Sequence, residues 1–204
     1  MSSRKLVFCA LCAALTAALT MFPSLPVPAT GGYIHLGDTV ILLSCLLLGW
    51  PAVASAAVGS ALADLCLGAA VYAPVTFVIK GAMAALGCLI LAPKQTFWRF
   101  VLAALAAEAL MAAGYSLFEF CLFGPAAAWA ALPANGVQGG AALVLAPLFC
   151  LLIQRTGLSK RLGLAAGRGS EPRKGSGEKV SAEQEEAGPA AEDPASDRGG
   201  RREK

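Results

Sequence analysis

The sequence contains little charge, and most of its charge lies at one end. Of its 204 residues, 57% are hydrophobic and 14% are charged. Ten of the sixteen Lys and Arg residues and nine of the thirteen Asp and Glu residues follow Thr156. A soluble domain of this length needs a polar surface, so the composition excludes one for residues 1–156. This part of the chain has the composition of a membrane protein.

Motifs that carry enzymatic or metal chemistry are also missing. The chain has one histidine and therefore no HExxH site, and it has no GxxxxGK[ST] loop for hydrolysing ATP. The seven cysteines lie singly in apolar runs, apart from Cys9 and Cys12, and we interpret them as packing residues. His35 has no obvious buried serine partner for a catalytic dyad. We therefore expect no enzymatic activity, no cofactor and no metal, and no binding of nucleic acid.

The apolar residues form six runs, which predict an all-α membrane protein with six transmembrane helices. The first run starts with basic residues, as a signal peptide does, but the later runs would still form a multi-span protein. Pro51 separates the second run from the third, because proline breaks a helix. The predicted spans are residues 5–22, 39–50, 51–68, 73–92, 97–123 and 133–154.

The basic residues predict the orientation of these spans in a prokaryotic plasma membrane. With the N-terminus in the cytoplasm, the loops assigned to the outside, residues 23–38, 68–72 and 124–132, contain no Lys or Arg. This asymmetry predicts that both termini are cytoplasmic. Cytoplasmic segments then hold Arg4, Lys5, Lys94, Arg99, Arg155, Lys160 and Arg161. We expect a transmembrane domain over residues 1–156 and a disordered, charged cytoplasmic tail over residues 157–204.

Polar residues within the apolar runs collect toward the predicted outer side. An ionisable group in the hydrocarbon layer costs a few kcal/mol or more, so each one is a functional candidate. Helical spacing places Tyr115 and Glu119 on one face, and Asn135 and Gln138 on another. We predict a polar pocket in the outer half of the bundle, covered by residues 31–38 (GGYIHLGD), which act as a lid with Asp38 at the hinge into the second span. Its candidate residues are Tyr33, His35, Asp38, Asp64, Lys80, Tyr115, Glu119, Asn135 and Gln138.

Simpler interpretations of these residues stay open. Asp64 and Lys80 could form a purely structural ion pair. Asp38 and Glu119 could be interfacial residues that face water, and His35 could be an ordinary loop residue. An interfacial aromatic anchor is the simpler interpretation of Tyr33.

The first run has a different pattern, with small residues repeated every four positions. Ala10, Ala14 and Ala18 define one stripe. Small residues let helices approach closely in lipid. The stripe is therefore either an internal packing face or a docking face for another membrane protein.

Five motifs, taken together, resemble the substrate-binding S component of energy-coupling factor (ECF) vitamin transporters. The resemblance covers nearly all of residues 5–154 and is most specific in the GDxxxL-to-ALADL block and the KG of span four. At the cytoplasmic turn Trp50 stands where similar sequences often have glycine. The motifs, in chain order, are GGYIHLGDTVILL, LLLGWPAVASAAVGSALADL, YAPVTFVIKG, AGYSLFEFCLFG and LPANGVQGG.

The resemblance implies a six-helix subunit that binds a vitamin or vitamin precursor at its outer face. Hydroxymethylpyrimidine, pyridoxine and riboflavin-like molecules are the candidate ligands, and the pocket residues named above are implied to contact or support them. It also implies docking through Ala10, Ala14 and Ala18 onto a transmembrane T component, which associates with two ABC ATPase subunits. The alternative from another class is a stand-alone proton-coupled transporter or channel that uses Glu108 with Asp64 and Lys80.

Overall fold

The computed structural model describes residues 3–27 and 32–157, and these residues form six helices. They follow one another along the chain in the same order as the six predicted apolar runs. Proline lies in the first turn of the third, fourth and sixth helices, where its missing N–H removes no intrahelical hydrogen bond. The helices are α1 (Ser3–Met21), α2 (Gly37–Leu48), α3 (Pro51–Cys66), α4 (Ala73–Leu91), α5 (Phe97–Phe123) and α6 (Pro125–Thr156).

Helix α2 lies at the centre of the bundle and contacts each of the other five helices. Ten of its twelve residues are buried. A helix that is apolar on every side is a buried helix, which explains why α2 has no polar stripe below its first turn. Its twelve residues span about 18 Å, less than the roughly 30 Å of a bilayer core. Its neighbours surround it over most of that length.

The other five helices form an arc around α2, in which α1 packs on α3, α3 on α4, α4 on α5, and α5 on α6. Small residues allow the closest of these approaches. A Cβ atom added at Gly59 of α3 would lie 2.4 Å from the carbonyl oxygen of Ala13 in α1. Only glycine fits at this point, as is common where membrane helices cross closely.

The connection between α1 and α2 contains a short antiparallel ladder that the all-α prediction did not include. Strand β1 (Leu25–Val27) pairs with β2 (Gly32–Ile34), and Tyr33 lies opposite Pro26. Three-residue strands show too few alternations to produce a period-two signal in the sequence. The ladder places Tyr33 at the end of the helix bundle.

The predicted start of the sixth helix is wrong. Residues 124–132, predicted as an outer loop, belong mostly to α6, which begins at Pro125 and contains Pro133 in its interior. Proline usually marks a helix start, but membrane helices tolerate it because neighbouring groups satisfy the freed backbone atoms. The 32 residues of α6 span about 48 Å, longer than a bilayer core.

Four of the described helices, α1, α4, α5 and α6, are long and apolar enough to cross a membrane, and α2 and α3 are shorter apolar helices. That the chain crosses the membrane six times, with both termini in the cytoplasm, therefore stays a prediction. The predicted disordered tail, residues 157–204, lies outside the described residues except for Gly157.

Candidate functional site

Polar side chains surround a small cavity at the end of the bundle that carries the α1–α2 connection. Nine side chains line it, and we call this set the polar pocket: Tyr33, His35, Asp64, Tyr72, Thr76, Tyr115, Glu119, Asn135 and Gln138. Seven of the nine predicted pocket residues are among them. The other two, Asp38 and Lys80, are fully buried and do not line the cavity.

The cavity is small in this conformation. Its volume is about 40 Å³, whereas one water molecule needs roughly 10–15 Å³. The space therefore holds a few waters, and a larger ligand requires the walls to separate. The α1–α2 connection is the wall with the fewest helical restraints, since the short ladder is the regular structure found among its described residues.

A buried ion pair supports the pocket. Lys80 Nζ in α4 lies 2.5 Å from Asp38 Oδ1 in the first turn of α2, and neither side chain is exposed. The structural ion pair considered from the sequence thus exists, but the partner of Lys80 is Asp38 and not Asp64. Three carboxyl groups lie near this end of the bundle, and spacing along the chain could not choose between them.

Gln138 joins this ion pair to the connection above it. Its Nε2 atom donates to Asp38 Oδ2 at 2.7 Å, and its Oε1 atom accepts from the backbone N–H of His35 at 3.3 Å. A single hydrogen-bonded chain therefore links Lys80, Asp38, Gln138 and His35, and with them α4, α2, α6 and the connection. The position of the connection depends on these buried groups.

His35 is held tightly at the start of α2. Its Nδ1 atom accepts from the backbone N–H of Gly37 at 3.1 Å, and the side chain is 7% exposed. Burial lowers the pKa of His35 to about 4, against the weaker opposing effect of the Asp38 carboxylate. The imidazole is therefore uncharged at neutral pH, and it is not an ordinary exposed loop histidine.

Tyr33 closes the pocket from the side of the connection. Its hydroxyl donates to Asp64 Oδ1 in α3, and its ring lies 5.6 Å from the ring of His35. Burial and the Asp64 carboxyl both raise the pKa of the Tyr33 phenol, so the hydroxyl stays protonated and remains a donor. This hydrogen bond links the connection to α3 at the edge of the cavity.

The opposite wall contains two residues that the sequence did not single out for the site, Tyr72 and Thr76. The Thr76 and Tyr115 hydroxyls are 2.9 Å apart, and the Tyr72 hydroxyl donates to Glu119 Oε1 at 3.5 Å. A signal for both was present, because Tyr72, Thr76 and Lys80 follow at four-residue intervals on one helix face. With Tyr72 included, all three tyrosines of the chain line the pocket.

Glu108 lies deeper in the bundle and outside the pocket lining. It is 4% exposed, and neither carboxyl oxygen makes a hydrogen bond within residues 3–27 and 32–157. Gly139 of α6 packs against it, since an added Cβ there would lie 3.4 Å from Glu108 Oε2. The relay of Glu108 with an Asp64–Lys80 pair is not present in this form, because Lys80 pairs with Asp38.

The alanine stripe of α1 faces away from the bundle. Ala10, Ala14 and Ala18 are all exposed, whereas Ala17 on the other face is buried. Internal packing therefore does not account for the stripe. An exposed surface of small residues is available for contact with lipid or with another membrane protein.

A second cavity lies at the other end of the bundle. Its volume is about 270 Å³, and it is bordered by Lys5, Trp50, Cys88 and Gln95 among others. The Gln95 side chain donates to the backbone oxygen of Leu46 at 3.2 Å. This cavity is larger than the polar pocket but brings together fewer polar side chains.

Comparison with known proteins identifies the family. A model of the family described as the ECF-type riboflavin transporter S component matches residues 1–155. The chain belongs to this family. It is therefore a substrate-specific S component of a vitamin transport system and a multi-pass membrane protein.

Two further proteins are similar to this S component. An uncharacterized protein in the gap 3′ region of Pyrococcus woesei is 33% identical over 128 residues, which cover 62% of this chain and 85% of that protein. The solved structure of the S component of a bacterial ECF transporter has a TM-score of 0.62 at 18% identity. It covers 78% of this chain and 98% of the solved chain, so the two share a fold.

Proposed function

We propose that this S component binds a small water-soluble vitamin or vitamin precursor in the polar pocket, at the outer face of a prokaryotic plasma membrane. The observation that carries the proposal is the convergence of Tyr33, Asp64, Tyr115 and Gln138, from four separate elements, around one cavity. Aromatic rings and side-chain amides suit a flat nitrogen heterocycle. Hydroxymethylpyrimidine, pyridoxine and riboflavin-like molecules are the candidates.

The α1–α2 connection acts as the lid of this pocket. Its attachments include the backbone hydrogen bond from Leu36 N–H to Leu19 O at 3.2 Å, the Tyr33–Asp64 hydrogen bond and the contact of the His35 backbone with Gln138. The last two involve side chains, and a hydrogen bond of this kind contributes about 0.5–1.5 kcal/mol net, so that a ligand contact can offset its loss. Ligand entry therefore requires Tyr33 to release Asp64, after which the lid closes over the bound molecule.

Transport requires partner subunits. The chain has no P-loop, so ATP is hydrolysed by two ABC ATPase subunits joined to a transmembrane T component. The exposed stripe of Ala10, Ala14 and Ala18 is the proposed contact with the T component, because small side chains let a partner helix approach closely.

Ligand-induced thermal stabilisation tests the binding proposal. The purified chain is heated with each of the three candidate vitamins at high micromolar concentration, and at least one should raise the unfolding temperature. The Asn135→Ala variant should lose this shift, because Asn135 Nδ2 lines the pocket and has no hydrogen-bond partner among the described residues. The matched control Gln95→Ala changes the second cavity and should keep the shift. A panel in which no vitamin shifts the wild type contradicts the proposal.

The rival function is a stand-alone proton-coupled transporter or channel, and the Glu108 carboxyl favours it, since it has no hydrogen-bond partner among the described residues. The two functions differ in what drives uptake. Vesicles that contain this chain alone should not accumulate a vitamin under a proton gradient. Vesicles that also contain the T component and the ATPases should accumulate it when ATP is supplied.

A further inference from the structure

Two thiols lie next to each other between α2 and α4, at the end of the bundle opposite the polar pocket. The Sγ atom of Cys45 lies 3.4 Å from the backbone oxygen of Ala84, and a Cβ atom added at Gly87 would lie 3.4 Å from the same sulfur. In a helix the backbone oxygen of residue 84 accepts from the N–H of residue 88, so this sulfur lies beside the backbone of Cys88. The side chains of Cys45 and Cys88 interact directly.

The close packing of the two helices suits a covalent link between these sulfurs. A disulfide needs Cα atoms about 4.4–6.8 Å apart and sulfurs that can approach each other. Gly87 has no side chain to hold α2 away from α4, and the Cys45 sulfur already reaches the α4 backbone. The structure contains both cysteines as free thiols. Rotation about the Cα–Cβ bond of either cysteine therefore changes the distance between the sulfurs without moving a helix.

The second cavity gives a small oxidant access to both thiols. Cys45 and Cys88 line this cavity of about 270 Å³, whereas one water molecule needs roughly 10–15 Å³. Cys45 is 1% exposed and Cys88 is 4% exposed, so a reagent must be small enough to enter the cavity. Lys5 and Gln95 bring polar groups to its border. Hydrogen peroxide, which is only slightly larger than water, fits this space.

A link at this position acts on an interface that is already held at its other end. Asp38 precedes Cys45 by seven residues in α2, and Lys80 precedes Cys88 by eight residues in α4. The buried Asp38–Lys80 ion pair and the thiol pair therefore lie about two helical turns apart, roughly 11 Å, along the same interface. The ion pair joins α2 to α4 near the polar pocket, and the thiols adjoin near the predicted cytoplasmic end.

We propose that Cys45 and Cys88 form a dithiol that hydrogen peroxide oxidises to a disulfide, a reversible modification that fixes α2 against α4. In the first step one sulfur attacks a peroxide oxygen, the O–O bond breaks, and a sulfenic acid and one water form. In the second step the other sulfur attacks the sulfenic sulfur, the S–S bond forms, and the hydroxyl leaves with the remaining thiol proton as a second water. Peroxide is reduced and the two thiols are oxidised. Disulfides on the cytoplasmic side are usually transient and redox-sensing, which suits a reversible link.

Mass spectrometry of the purified full chain provides the first test. The reduced protein is treated with hydrogen peroxide, and the remaining thiols are blocked before digestion. We expect an intramolecular link between the peptides that contain Cys45 and Cys88, with loss of two hydrogen atoms, and dithiothreitol should reverse it. Cys66→Ser, at an exposed cysteine, is the matched control and should form the same link. Cys45 and Cys88 left unlinked, or linked to other cysteines, would overturn the proposal.

Thermal unfolding provides the second test, because it measures whether the link stabilises the packing of α2 on α4. A disulfide restricts the unfolded chain more than the folded one, so the oxidised wild type should unfold at a higher temperature than the reduced protein. Cys45→Ser and Cys88→Ser should each lose this shift, and Cys66→Ser should keep it. If one of the first two variants does not fold, the other carries the test, since each removes one half of the pair. An equal shift in these variants, or no shift in linked wild-type protein, would overturn the proposal.

Discussion

Replacing Lys80 with methionine tests how strongly the buried ion pair stabilises the bundle. The substitution keeps an unbranched side chain of similar length but removes the charge opposite Asp38. The Asp38 carboxylate is fully buried and would retain, among the described residues, only the Gln138 amide at 2.7 Å. Removing one partner of a buried ion pair costs about 3–5 kcal/mol. We therefore expect Lys80→Met to lower the free energy of unfolding by that amount.

The assay is reversible unfolding of the purified protein by SDS, followed by circular dichroism. Lys94→Met is the matched control, because Lys94 is exposed, and it should change the free energy by about 0.5 kcal/mol or less. The double variant Lys80→Met with Asp38→Asn should regain much of the lost stability, since no charge is left unpaired. A loss below about 1 kcal/mol in Lys80→Met, or a double variant as unstable as the sum of the two single variants, would refute the reasoning.

Three further substitutions test the lid and the docking face. Because burial lowers the pKa of His35 from 6.5 to about 4, the unfolded chain binds a proton between these pH values that the folded chain does not. The stabilisation that this pKa difference gives the folded protein is complete above pH 6.5 and declines toward pH 4 by roughly 3 kcal/mol. His35→Asn should remove this part of the pH dependence of the free energy of unfolding. An unchanged pH profile in the variant would contradict the prediction. Gly37→Ala places a Cβ 2.1 Å from Thr20 Oγ1 and should cost about 1–3 kcal/mol in thermal or SDS unfolding; a second change, Thr20→Ala, should recover part of it, whereas no recovery would locate the strain elsewhere. Ala14→Trp should abolish co-purification with the T component and keep vitamin binding, while Ala109→Trp, at an exposed alanine of α5, should keep both; loss of vitamin binding in Ala14→Trp would contradict the separate roles of stripe and pocket.

Long apolar elements were predictable because membrane-embedded helices must satisfy their own backbone hydrogen bonds. The fifth helix agrees with its prediction at both ends, Phe97 and Phe123. The sixth helix begins before its predicted start at Pro133. Proline is typical of a helix start, and the sequence does not show which groups surround the backbone at this position. The ladder of β1 and β2 was missed for a related reason, since pairing between three-residue strands depends on the helix ends beneath them.

Most of the pocket was predictable because helical spacing decides which side chains share a face. Asn135 and Gln138, three residues apart, both line the cavity. The pairing of charges was not predictable, because Lys80 could reach carboxyl groups on more than one neighbouring helix. The central position of α2, which contacts every other helix, brings Asp38 next to Lys80. Asp64 instead accepts a hydrogen bond from Tyr33.

The central claim is that a vitamin binds in the polar pocket, and a structure of the purified chain with its tightest vitamin ligand tests it most directly. We predict ligand density between Tyr33, Tyr115 and Gln138, in a cavity wider than the present 40 Å³, with the Tyr33–Asp64 contact opened or replaced by the ligand. Density confined to the second cavity beside Trp50 would contradict the claim. So would an unchanged polar pocket without ligand density at a saturating ligand concentration.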